Sequence, residues 1–189
     1  MAMTVQRRKD TKTPHVFVHK TADIRGGVSV NVSELGSDFL FEGTVLSSPS
    51  NGICHVVKTA EVVSAVLEAG KSVKVKKGHQ FKIGDIVMVG VGAKATTIAS
   101  IDKAAKDSDT ITLTAALGAI EIGGFLIEAA ATSDSTGSVL KYVPLAVNGT
   151  GKPIVQGQNL DTDAWIIGVT KGNSLPECVS KHLKGIINY

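Results

Sequence analysis

The strongest constraint on this chain is the period of its hydrophobicity between residues 72 and 130. The segments "SVKVKK", "KATTIASID" and "TITLTAAL" alternate apolar with polar residues, while "IVMVGV" and "FLIEAAA" are short apolar runs. A period of two puts one side of a strand in a core and the other in water; an unbroken run suits a strand buried on both faces. Gly-Asp, Asp-Ser-Asp and Gly-Gly segments interrupt these runs at short spacing, and such residues turn chains. "FKIGDIV" shows the unit: Gly84 and Asp85 make the corner, and the apolar run after them enters the core. Short strands so spaced predict a small antiparallel β-barrel or sandwich.

The flanking regions read the same way. In "PHVFVHK" a strand would place His15, Phe17 and His19 on one face, with Val16 and Val18 opposite. After a Gly26-Gly27 turn, Val28, Val30 and Val32 alternate with polar residues, and "FLFEGTVLSSP" is a further strand closed by the turn "SPSNG". Residues 59–70 fit a helix and strands equally. Val62, Val63, Val66 and Leu67 could share a helical face with Thr59 as its cap. "VLKYVPLAV", "KPIVQGQNL" and "AWIIGVT" read as strands. The close, "SLPECVSKHLKGIINY", predicts a short amphipathic helix with Ser174 as N-cap and an apolar face of Leu175, Val179, Leu183 and Ile186 that also carries His182. The expected fold is therefore mainly β, with an extended N-terminal arm and a short C-terminal helix. Its expected divisions are a flexible basic arm (1–13), a β-rich domain (14–131), a linker (132–138) and C-terminal β segments plus the helix (139–189).

Charge narrows the function. The net charge is only +3, and it comes mostly from Arg7, Arg8, Lys9 and Lys12, which face Asp10. A nucleic-acid binder usually carries a larger basic surplus interleaved with aromatics, and here aromatics are 4% of the chain. The arm reads as solvated, or as a docking segment for an acidic partner. Lys71, Lys74, Lys76 and Lys77 form one further basic patch. It suits protection of an edge strand better than a groove for oligonucleotides. Cys54 and Cys178 lack metal or disulfide spacing, and are expected as free thiols. The start has no apolar stretch of signal type and nothing is long enough to span a bilayer, so no membrane partner is expected.

Candidate chemistry is thin. His15 and His19 are four apart, but on a strand that spacing exceeds the reach of one metal ion. His55, His79 and His182 have no patterned partners. "GVGAKATT" and "GTGKP" lack the spacing of a phosphate loop, "NLDTD" lacks the remainder of a calcium loop, and no GxSxG occurs. No catalytic residue, metal site or cofactor is expected. Sugar rings stack on Trp or Tyr, so Trp165 and Tyr142, with Tyr189, are the candidate glycan contacts, although Trp165 lies in an apolar run that suits a core.

The opening "RRKDTKTPHVFVHKTADIRGGVSV", the central "FKIGDIVMV…TTIASID…DTITLT" and the close "NLDTDAWIIGVTKGNSLPECVSKHLKGI" resemble, in style and segment order, phage head fibre and related capsid-surface proteins. The resemblance covers most of the chain and rests on no diagnostic motif. It implies a non-enzymatic structural protein, made in the host bacterial cytoplasm and displayed on the capsid exterior of the virion. Its implied partners are its own copies in a homotrimer, the major capsid protein and host surface glycans. A long fibrous repeat is missing, which brings a compact decoration protein equally into view. A carbohydrate- or host-surface-binding module is the alternative reading, and a nucleic-acid-binding β-barrel a more distant one.

Overall fold

The computed structural model describes residues 15–155 and 157–189. The arm expected at 1–13, with Arg7, Arg8, Lys9 and Lys12, lies outside the described residues. In chain order the elements begin with β1 (Phe17–Asp23), β2 (Val28–Val30), β3 (Phe39–Leu40), β4 (Val45–Ser47) and β5 (Ile53–Cys54). A central group follows: β6 (Thr59–Glu61), β7 (Ser72–Lys76), β8 (Ile86–Met88), β9 (Ala95–Asp102), β10 (Ser108–Leu113) and β11 (Phe125–Glu128). The chain closes with β12 (Pro144–Asn148), β13 (Lys152–Pro153), β14 (Leu160–Thr162), β15 (Ala164–Thr170), the helix α1 (Glu177–Ser180) and β16 (Ile186–Asn188).

Pairing sorts these elements into two units. The central strands form one antiparallel sheet in the order β6-β11-β8-β9-β10-β7. Its two end strands approach each other at a single bridge, Val62 to Val75. The sheet thus curls around its own core without closing into a barrel, and of the two expected alternatives the arrangement is consistent with the sandwich. The other unit is woven from both ends of the chain. β15 lies between β1 and β12, and β12 pairs with β4; β14 pairs with β2, and β13 with β3. β16 joins β15 in parallel. Pairing therefore crosses the 132–138 segment, and residues 139–189 share their sheets with residues 15–57.

The alternation read from sequence is the reason for the central sheet. In β7, Val73 and Val75 are fully buried while Ser72, Lys74 and Lys76 face water. Opposite them Ile111 pairs with Val73 and joins Phe81, Val87, Ile98, Leu113 and Leu126 in one cluster. Each such side chain contributes about 1.5–3 kcal/mol by leaving water, which is how a chain poor in aromatics obtains a core. The lysines of β7 stand at the end of the sheet, where charge discourages further pairing. In the outer unit the turn at "SPSNG" follows local chemistry. Asn51 and Gly52 both adopt positive φ, 51° and 79°, as a tight two-residue hairpin turn requires.

The two helical readings come out differently. Residues 59–61 are strand, and the rest of 59–70 is loop tied by the bridges of Val62 and Val66; pairing with β11 and the buried valines win over the helical period. The C-terminal helix is present but is a single turn. Its N-cap is Pro176 and not Ser174, and no side chain caps it. Val179 and Leu183 are buried, and Leu175 and Ile186 pack beside them as the expected face requires. His182 is exposed, and the chain unwinds after the turn because β16 finds backbone partners on β15.

Candidate functional site

The chain passes between the two units twice, near Val57–Lys58 and near Glu128–Tyr142. At this junction sits a group of charged side chains that the core would ordinarily exclude. Lys58 stands just before β6, in the apolar context "HVVKTA", and its side chain is wholly buried. Its Nζ donates to Oδ2 of Asp85 at 2.7 Å and lies 3.3 Å from Oε1 of Glu128. Asp85 is set by the Gly84-Asp85 corner. The backbone N–H of Lys82 donates to the same Oδ2 at 2.8 Å. Glu128 ends β11, and its backbone N–H donates to the carbonyl of Lys58. Lys141 donates to Oε1 of Glu128 at 2.8 Å, while Oε2 of Glu128 is buried without a partner.

Two lysines and two carboxylates balance in charge, as buried ions must. Burial nonetheless pushes the Glu128 carboxyl up, against the pull of Lys58 and Lys141. Burial works against the charge of Lys141 too, but its bond to Glu128 and the charge there hold it above the ordinary lysine value. From Lys141 the network continues over the ring of Tyr142. The Tyr142 hydroxyl donates to Glu34 at 2.8 Å, and the other oxygen of Glu34 lies 2.7 Å from Nδ1 of His55. Tyr142 is pushed up to about 12, by burial first and then by the bond to Glu34.

Beside the junction runs a groove of about 530 Å³ between the units, lined by Phe41, Glu42, Lys58, Lys77, His79, Gln80 and Asn173 among others. Gln80 donates to the carbonyl of Phe39 at 2.8 Å, leaving its own Oε1 buried and unpartnered. His79 accepts the backbone N–H of Phe81 at Nδ1, so its proton belongs on Nε2. That nitrogen is 3.3 Å from Asp109, outside hydrogen-bond geometry. Burial lowers His79 to about 4; Asp109, already engaged by Lys77 at 2.6 Å, opposes this incompletely.

The residues singled out from sequence lie apart. Trp165 is half-buried on β15; its indole N–H donates to Asp163 at 2.7 Å, and Gly149 packs so closely on it that a methyl group there would overlap the ring. Lys20 approaches the rings of both Trp165 and Phe17. Tyr142 is stacked on His55 and bonded to Glu34, so both ring and hydroxyl are engaged within the protein. Tyr189 is 64% exposed. His15 contacts Glu42 at 3.0 Å. Among the described residues no three His, Cys, Asp or Glu side chains group so as to hold a metal ion, and Cys54 and Cys178 are free thiols.

The ionic cluster was not found by reading the sequence. The available signal was a single charge inside each of two apolar runs, Lys58 in "HVVKTA" and Glu128 in "FLIEAAA", whereas Asp85 reads only as a turn residue.

No protein-family model, curated protein or solved structure matches the chain. No described helix is long and apolar enough to cross a membrane.

Proposed function

We propose that this chain is a non-enzymatic structural protein that assembles with copies of itself, as a head fibre or decoration protein on the exterior of a phage capsid. The observation that supports it best is the outer face of β1, β15 and β16. Val169 pairs with His19 on one side and with Ile187 on the other, and cross-strand partners share a face. Ile167, two residues along, stands on that face as well. Ile167 is 45% and Ile187 64% exposed, and Val18 in the adjacent bulge is 57% exposed. β15 is the only strand partner of β16 among the described residues, so its other edge offers unpaired backbone groups. An aliphatic face beside an open edge is what a self-associating sheet presents when its neighbours are removed.

The capsid as the surface served rests on the resemblance of the sequence. Light scattering on the purified protein tests the assembly, with a trimer stable to dilution as the expected result. Co-sedimentation with capsids lacking the protein tests the surface. A monomer at every concentration that also fails to bind capsids overturns the reading.

A further inference from the structure

From the junction cluster we infer that Lys58 and Asp85 react with each other to form an intramolecular amide bond, with Glu128 carrying the proton. Nζ of Lys58 is held 2.7 Å from Oδ2 of Asp85, one bond from the Cγ it would attack, so nucleophile and target meet without a further search. No part of the lysine side chain is exposed, and the Asp85 side chain is 14% exposed, so water does not solvate the amine and has only limited access to the carboxyl. Glu128 lies 3.3 Å from the same nitrogen and is itself 2% exposed.

The chemistry balances. The pair begins as ammonium and carboxylate. One proton passes from Nζ through Glu128 to Oδ1 of Asp85, leaving a neutral amine against a neutral carboxylic acid. The nitrogen lone pair forms a bond to Cγ, and charge gathers on Oδ2. The backbone N–H of Lys82, 2.8 Å from Oδ2, stands where an oxyanion is stabilised. The C–Oδ1 bond then breaks, and Oδ1 leaves as water with a second proton from nitrogen. Glu128 ends as it began, and no oxidant or further reactant is needed.

Burial gives the step its direction. Ammonium and carboxylate are favoured over an amide chiefly by their hydration, which this site denies the ammonium and restricts for the carboxylate. Condensation removes both charges from the interior. It leaves Glu128 facing Lys141 alone, a single pair with part of its charge at the surface, since Lys141 is a third exposed. That exposure also distinguishes the two lysines: Lys141 keeps its water, and Lys58 has none. The Glu128 carboxyl, raised by burial, takes up a proton more readily than a solvated one, as a proton carrier near neutral pH must. The product closes a covalent ring over β6, β7 and the corner before β8, at the point where the chain first enters the central unit.

The test is the intact mass of the wild-type protein under denaturing conditions, followed by tryptic mapping. The expected mass is lower than that of the sequence by one water, with a branched peptide joining Lys58 to Asp85 and no cleavage after Lys58. Glu128→Gln is expected to retain the full mass, as is Lys58→Met. Asp85→Asn would lose ammonia in place of water if the same nitrogen attacks the same carbon. A wild-type protein of full mass overturns the inference, and so does a branch at Lys141. An unchanged water loss in Glu128→Gln removes Glu128 from the reaction. The wild-type mass is read from the native chain, so it decides the question even where a variant fails to fold.

Discussion

The imidazole of His55 stacks on the ring of Tyr142 at 4.3 Å and 12° from parallel, and Glu34 holds both rings by its two oxygens. The three residues come from a loop, the start of the hairpin return and the second crossing between units. Their meeting fastens the N-terminal strands to the segment that leads into β12.

Glu34→Gln is therefore expected to destabilise the fold by about 1–3 kcal/mol, the cost of weakening a charge-assisted hydrogen bond and leaving a polar group poorly matched. Denaturant unfolding reads this directly. In the native protein Tyr142 should ionise near 12, and in the variant closer to the ordinary value of 10. Absorbance during alkaline titration separates the two. Because the folded value lies above the unfolded one, the contribution of Tyr142 to stability is complete below pH 10 and declines as pH rises towards 12.

His79 makes the acid side informative. Its folded value of about 4 lies below the ordinary 6.5, so between these limits the unfolded chain binds a proton that the folded one refuses. Stability should then be fullest above pH 6.5 and fall as pH drops towards 4. The size is on the order of 3 kcal/mol at most, from the width of the interval. Unfolding followed across that range should show a flatter profile in His79→Gln. Equal slopes in the two proteins would assign the acid response to other groups.

Gly36 packs closely against the central unit. Its N–H donates to the carbonyl of Gln80, its carbonyl accepts from Lys103, and a methyl group on it would overlap the carbonyl oxygen of Phe81. Gly36→Ala should push the 33–39 loop away from the central sheet and cost about 1–3 kcal/mol through overpacking. Faster limited proteolysis in that loop, with the central unit intact, is the expected signature.

On the outer face, Ile187→Asp should abolish self-association while leaving thermal stability nearly unchanged, since the side chain is mostly solvent-exposed in the isolated subunit. Light scattering and a melting curve on the same sample check both halves. A variant that stays assembled would exclude this face from the interface.

Much of the architecture was legible because it is local. The period of two in "SVKVKK" became β7 with both valines buried, and "SPSNG" turned through Asn51 and Gly52. The ends of elements were less legible. Residues 59–70 carry a helical and a strand pattern at once, and only the ladder offered by β11 resolves them. The C-terminal helix stops after one turn because β15 presents a free side to Ile186–Asn188, a fact held by strands far away in sequence.

Composition and alternation by themselves determined a mainly β protein built on aliphatic cores, with turns where Gly, Asn and Asp stand together. These follow from side-chain chemistry and from the two-residue repeat of a strand. Tertiary structure alone decided that residues 15–57 and 139–189 share their sheets, and that Lys58, Asp85, Glu128 and Lys141 meet. Each of those four is an ordinary charged residue until the fold brings it to the others and removes the water from Lys58 and Glu128. Their distances and buried charges arise from long-range pairing, which no local pattern encodes.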